Sequence, residues 1–191
     1  MNESTAPQST ETLDGQHLYL TGYRGSGKTT VGRLVASRLG LRCIDLDDEI
    51  ETHAGRSIRE IFAESGEATF RDLETAALLR VAADSAAVIS LGGGAILRPE
   101  NREVIAKTGI AVWLKIDADT VIQRLAGDTT TAERRPALTA LPPREEVESL
   151  LQKREPLYQE VADCEVDAAG QGVAAIVDQI VARVTVRDTC R

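Results

Sequence analysis

His17-Leu18-Tyr19-Leu20-Thr21-Gly22-Tyr23-Arg24-Gly25-Ser26-Gly27-Lys28-Thr29-Thr30 passes from a short apolar run, through a glycine-rich turn, into an amphipathic stretch. His17–Thr21 reads as a first strand. Lys28 to Leu39 reads as a helix, because Val31, Leu34, Val35 and Leu39 share one face and Gly40 stops it. Between them, Gly22 to Thr29 fits G-x-x-x-x-G-K-[ST], in the strand-to-helix setting that its chemistry requires. Glycines let such a loop turn tightly and aim backbone N–H groups at phosphate oxygens. Lys28 then reaches the β- and γ-phosphates, and the Thr29 hydroxyl can ligate Mg²⁺. The stretch therefore predicts a nucleotide-phosphate site and an α/β fold.

Outward from this loop, apolar runs alternate with amphipathic stretches, as in βα units. A short second strand is expected at Cys43–Leu46, then a polar helical segment from about Asp48 to Gly55. Ser57-Ile58-Arg59-Glu60 reads as a capping box opening a helix that Gly66 ends, and another helix runs from about Glu67 to Ala83. Ala87–Leu91 and Ile110–Ile116 are continuous apolar runs, as central parallel strands covered on both faces should be. Helices near 100–107, 118–126, 143–158 and 171–184 and an edge strand near Cys164–Val166 complete the pattern. Gly127–Arg144 is polar, holds Pro136, Pro142 and Pro143, and lacks an apolar period. A loop that long in a compact domain suggests an active-site lid.

The chain has 191 residues and a net charge of −8, enough length for one α/β domain with a sizeable core. An acidic balance argues against general binding to nucleic acids or anionic membranes. Residues 1–16 are polar and read as a disordered tail. Cys43, Cys164 and Cys190 have no paired spacing, which fits a reducing compartment, and like His17 and His53 they read as structural or solvated. No apolar run approaches the roughly 20 residues that a membrane span needs.

Of the 22 basic residues, 18 are Arg and 4 are Lys. Most need no explanation beyond composition, but some fall on unexpected faces. Arg154 lies on the stripe of Val147, Leu151 and Tyr158, where a guanidinium needs an anion from the protein or a ligand. Arg71 sits between Glu67 and Glu74 at helical spacing, and on local sequence an ordinary surface helix salt bridge is the favoured reading. Arg134 and Arg135 lie in the expected lid, as a solvated pair or as cations for a transferring phosphoryl group. Asp45 and Asp47 face one side while strand geometry continues, although helix capping would also place acids there. Gly92-Gly93-Gly94, after a buried strand, implies close approach by a chain segment or a ligand, and at the carboxyl end of a parallel strand the expected visitor is a ligand.

Taken together, these blocks resemble the shikimate kinase family from about residue 17 to 184. The resemblance rests on Gly22–Thr30, Asp45-Leu46-Asp47, Gly55-Arg56-Ser57-Ile58 with Ile61-Phe62, and Gly66-Glu67 leading to Phe70-Arg71. Leu91–Ala95, Arg135-Pro136-Ala137-Leu138 and Arg154-Glu155-Pro156-Leu157-Tyr158 follow in order. It implies a three-layer P-loop kinase fold of nucleoside-monophosphate-kinase type with a five-stranded parallel sheet and a mobile lid. The domain would span 17–187, with a substrate segment at about 45–83 and the lid at about 126–144. The implied activity is ATP-dependent phosphorylation of the 3-hydroxyl of shikimate, on the route to chorismate and the aromatic amino acids.

By the same resemblance, Gly25, Ser26, Gly27, Lys28, Thr29, Thr30 and Arg135 would bind ATP, while Thr29 and Asp45, the latter through water, would meet Mg²⁺. Asp47, Arg71, Gly92, Gly93, Gly94 and Arg154 would hold shikimate, with Lys28, Asp47 and Arg135 catalytic. The lid is longer than the family pattern, so Arg134 stands as an alternative to Arg135, and Leu125 after Arg124 replaces a second basic residue near the adenine site. The expectation is a cytoplasmic monomer without nucleic-acid or membrane partners. Two other readings stay open: another small-molecule kinase, such as a gluconate kinase, and a nucleotide-dependent switch without turnover.

Overall fold

A computed structural model describes residue 13 and residues 15–127 and 141–185. Five parallel strands form one sheet: β1 (His17–Thr21), β2 (Arg42–Asp45), β3 (Ala87–Ser90), β4 (Gly109–Lys115) and β5 (Cys164–Asp167), in the order β2-β3-β1-β4-β5. The helices are α1 (Lys28–Leu39), α2 (Leu46–Ala54), α3 (Ile58–Ala82), α4 (Pro99–Thr108), α5 (Ala118–Gly127), α6 (Pro143–Val161) and α7 (Val173–Thr185). A short 3₁₀ turn at Ala95–Leu97 follows β3.

Pleating sends alternate strand residues to opposite faces, and each face carries its own core. Leu18 and Leu20 of β1, with Val88, Val112, Leu114 and Val166, meet α1 and α7 through Val31, Val35, Ile176, Val177 and Ile180. Tyr19, Ile89, Ala111 and Trp113 point the other way, into a core shared with α2, α3, α4 and α6. Burying each of these aliphatic side chains contributes roughly 1.5–3 kcal/mol before conformational entropy is counted. A third, smaller cluster joins Tyr23 of the glycine-rich loop to Ile116, Val121 of α5 and Val147 of α6. That cluster anchors the loop to two helices at the carboxyl ends of the strands, where ligands bind in such sheets.

Several boundaries move. The β2 strand stops at Asp45 and not at Leu46, because Asp45 caps α2 by accepting the Asp47 N–H at 3.0 Å. Leu46 thus opens the helix and is fully buried in the core. The capping box is present: the Ser57 Oγ accepts from the Glu60 N–H, and the Glu60 carboxylate accepts from the Ser57 N–H. As expected, Gly66 ends the first helical stretch of α3, with φ 77° and ψ 176°, and a second stretch follows it directly. The helix α6 continues past Pro156 to Val161. The expected tail through residue 16 is too long, since Leu13 is buried in the α1/α7 core and its carbonyl accepts the Gln16 N–H at 2.8 Å. Among the described residues, no helix is long and apolar enough to cross a membrane.

Candidate active site

The phosphate loop leaves β1 at Gly22, whose φ of 139° suits glycine alone, and a Cβ there would stand 2.6 Å from the Leu114 carbonyl oxygen. The N-cap of α1 is Gly27, which supplies no side-chain cap, so the first helical amides are left for an anion. Lys28 is buried and folds back on its own loop, donating to the carbonyls of Gly22 and Tyr23 at 2.9 Å each and to the Ser26 Oγ at 3.3 Å. These are acceptors that a phosphate can replace. A cavity of about 670 Å³ opens beside the loop, and Gly25, Gly27, Lys28, Thr29, Thr30, Asp45, Asp47, Gly92 and Gly93 line it. The structure thus brings both ends of the sequence-derived constellation to one space.

Asp45 and Asp47 reach the cavity by a different route from the one expected, since the strand ends between them. Asp45 is the last strand residue and Asp47 lies in the first turn of α2. The Asp45 Oδ2 accepts from the Thr29 hydroxyl at 2.7 Å, which ties β2 to the start of α1. Burial holds the Asp45 carboxyl above the usual carboxylate range; the Thr29 hydrogen bond opposes this and the Asp47 charge adds to it. A cation in this corner would reverse that balance. The donors are hard oxygens, and few, which suits Mg²⁺: it keeps most of its waters and shares phosphate oxygens. Among the described residues, no cluster of three or more acidic, His or Cys side chains could hold a metal ion.

The arginines converge on the glycine turn after β3. Arg154 is buried, donates to the Gly93 carbonyl at 3.1 Å, and lies 5.7 Å above the Tyr23 ring. Tyr158, one turn later, donates to the same carbonyl at 2.7 Å. Arg71 is buried too, so the surface salt-bridge reading fails on location though not on partners. It bonds Glu74 at 2.6 Å and Glu67 at 3.0 Å. Burial works against its charge, but Glu74 and Glu67 outweigh that effect and raise its pKa. At Gly94, the visitor inferred from the glycines is Arg71 itself: a Cβ would meet its guanidinium nitrogens at 2.6 Å. Arg71 and Arg154 therefore stand at consecutive residues, Gly94 and Gly93, of the turn whose Gly92 and Gly93 line the cavity, and neither arginine lines it itself.

Sequence reasoning missed Arg24, Ser90 and Gln123, which also line the cavity. Arg124 and Leu125, expected from the resemblance near the adenine site, line it too. Arg124 donates to the carbonyls of Gly25 at 3.1 Å and Ala168 at 2.7 Å, bridging the loop to the end of β5. Leu125 packs over Gly25. Arg24 pairs with Glu146 of α6 at 2.6 Å. A variable motif position and a glutamate in a first helical turn carry no sequence signal for that pairing. Arg134 and Arg135, with the central part of the expected lid, lie outside the described residues.

A family model described as shikimate kinase matches residues 24–185. The shikimate kinase of Rhodopirellula baltica is 51% identical over 165 residues, 86% of this chain and 88% of that protein. A solved shikimate kinase from Acinetobacter baumannii, in complex with shikimate, superposes with a TM-score of 0.80 at 38% identity, covering 87% of this chain and 90% of that one. A gluconokinase from Sinorhizobium meliloti has a TM-score of 0.61 at 21% identity, covering 89% of this chain and 91% of that one, a likeness of fold alone.

Proposed function

The chain belongs to the shikimate kinase family, and on that premise we propose that its cavity transfers the γ-phosphoryl group of ATP to the 3-hydroxyl of shikimate. The products are shikimate 3-phosphate and ADP, on the route to chorismate and the aromatic amino acids. The observation that carries the substrate assignment is the pair of buried guanidiniums, Arg71 and Arg154, at one glycine turn beside a phosphate loop. A small acid can be gripped there. Arg154 offers donors beyond its carbonyl bond, and Arg71 can exchange Glu67, whose side chain is 56% exposed, for a substrate carboxylate. Glu74 stays in place to hold the guanidinium.

On this reading the Gly25–Thr30 amides and Lys28 hold the phosphates, Lys28 leaving the Gly22 and Tyr23 carbonyls to do so. Mg²⁺ would be held by the Thr29 hydroxyl and, through water, by Asp45, and when bound it neutralises charge on the phosphates. Asp47, free of strand geometry at the head of α2, orients the acceptor hydroxyl. As that oxygen bonds to the γ-phosphorus and the bond to the ADP oxygen breaks, Asp47 accepts the hydroxyl proton. Gly92 and Gly93 let the acceptor approach the loop closely. Arg135, or Arg134, is assigned to the phosphates from the lid. The rate gain is mostly positioning and charge neutralisation.

We place the protein in the cytoplasm with its substrates, acting as a monomer. The test is ADP release with ATP, Mg²⁺ and a panel of hydroxy acids. Shikimate should stimulate release well above gluconate. Equal or absent stimulation by folded protein would refute the assignment.

A further inference from the structure

We propose that Arg24 is a further cation of the transfer site, set on the acceptor side of the phosphate loop and oriented by Glu146; this rests on the kinase reading above. Arg24 occupies a position that the loop motif leaves open, so the phosphate-binding pattern alone does not account for its side chain. It lines the same cavity as Lys28 and Asp47. Its place in the loop is informative. Arg124 and Leu125 pack over Gly25 and Gly27 on one flank, whereas the Arg24 backbone N–H abuts Gly93 on the other, 3.3 Å from where a Cβ would stand. The Gly93 flank is the one from which the acceptor must come, because Arg154 holds the Gly93 carbonyl. The phosphoryl group leaves the nucleotide in that direction.

Glu146 explains why the guanidinium stays there. Its side chain is 3% exposed, and its carboxylate meets the Arg24 Nη2 at 2.6 Å, while the Arg24 side chain remains 19% exposed. A buried carboxylate of this kind fixes a charge direction and adds little net stability. Glu146 and Arg154 are eight residues apart on α6, so they lie close to one face of that helix. Both cations lie near the Tyr23 ring, the Arg24 carbon 5.8 Å and the Arg154 carbon 5.7 Å from its centre. A single helix thus sets both the acid grip and the orientation of a loop cation that faces the transferring group. Charge developing on the phosphoryl oxygens would be met by Lys28 on the nucleotide side and Arg24 on the acceptor side.

Arg24→Met alone would take a charged partner from the buried Glu146 carboxylate, so the informative variant is Arg24→Met with Glu146→Leu, which removes both charges of the pair. Four quantities are measured: Tm, kcat, the KM for each substrate, and the ratio of ADP to ATP dissociation constants without any acid present. The expected result is a Tm close to wild type, kcat reduced by about tenfold or more, and loss of preference for ATP over ADP. Arg24→Lys should recover part of the kcat, and Glu146→Gln should lower kcat while leaving the KM for ATP unchanged. Wild-type kcat and an unchanged nucleotide ratio in the double variant would overturn the role of Arg24. If the double variant does not fold, Glu146→Gln with wild-type kcat has the same force. Wild-type protein that ignores shikimate would refute the substrate assignment instead, and the nucleotide ratio would still decide on Arg24.

Discussion

Arg154 has a carbonyl and an aromatic face as its described contacts, where a buried arginine usually has a carboxylate. Removing it should therefore cost function more than stability. Arg154→Ala is expected to raise the KM for the acid by about 10- to 100-fold, the worth of a charged hydrogen bond, with little change in Tm or ATP binding. Steady-state kinetics with a thermal melt checks this; a large fall in Tm at unchanged KM would make Arg154 a scaffold residue. For Lys28→Ala, phosphoryl transfer should be lost and folding retained. His17 sets a pH response. It is buried, donates from Nε2 to the Ala82 carbonyl at 3.3 Å, and burial lowers its pKa below the ordinary histidine value of 6.5, with Arg42 adding to the effect and the Ala82 bond and Asp84 opposing it. The unfolded chain then binds more protons as pH falls through 6.5, so stability declines in that range. His17→Gln should flatten the decline in urea-unfolding midpoints between neutral and mildly acidic pH; an unchanged slope would assign it to other groups. At this scale, Arg154 was legible because a charge on an apolar stripe is anomalous. Arg24 and Glu146 were not, because each sits where polar residues are ordinary and only the fold brings them together across 122 positions.

Elements place these side chains by where they start, break and stop. Gly66 holds α3 bent, at a φ/ψ pair that alanine adopts only with strain of about 1–3 kcal/mol, so Gly66→Ala should lower the unfolding free energy by that order. The bend lies one residue before Glu67, which with Glu74 grips Arg71, so the same variant should also weaken acid binding. Gly94→Ala makes a sharper probe. Its Cβ would fall 2.6 Å from the Arg71 guanidinium, which its two glutamates keep from swinging away. The acid KM should rise with the KM for ATP unaltered, and an unaffected acid KM would separate Arg71 from the substrate. Strand β1 and helix α1 were legible to the residue, since glycines punctuate both. The end of β2 was not: Asp45 satisfies a strand pattern and a helix cap alike, and only the cap bond to the Asp47 N–H decides. For the glycine triplet, sequence told that something comes close without telling what, and Arg71 fills one of the places inferred for a ligand.

Across the whole molecule, the parallel sheet was legible in the continuous apolar runs of β3 and β4, which must be covered on both faces. Individual runs do not encode which strands are neighbours. The order β2-β3-β1-β4-β5 puts β3 beside β1, and that adjacency sets the glycine turn against the phosphate loop. A net charge of −8 described the surface and still argues against polyanionic partners. Locally, Arg24, Lys28 and Arg124 line the cleft together with Asp45 and Asp47, and Arg154 bonds its glycine wall at Gly93, so cations stand within reach although both proposed substrates are anions and the chain as a whole is acidic. The most direct test of the account is phosphorus NMR of the product formed from ATP, Mg²⁺ and shikimate. It should show a new phosphomonoester coupled to the proton at carbon 3 of shikimate, accumulating in step with ADP. Loss of ATP to inorganic phosphate alone, or a phosphoester at another hydroxyl, would contradict it.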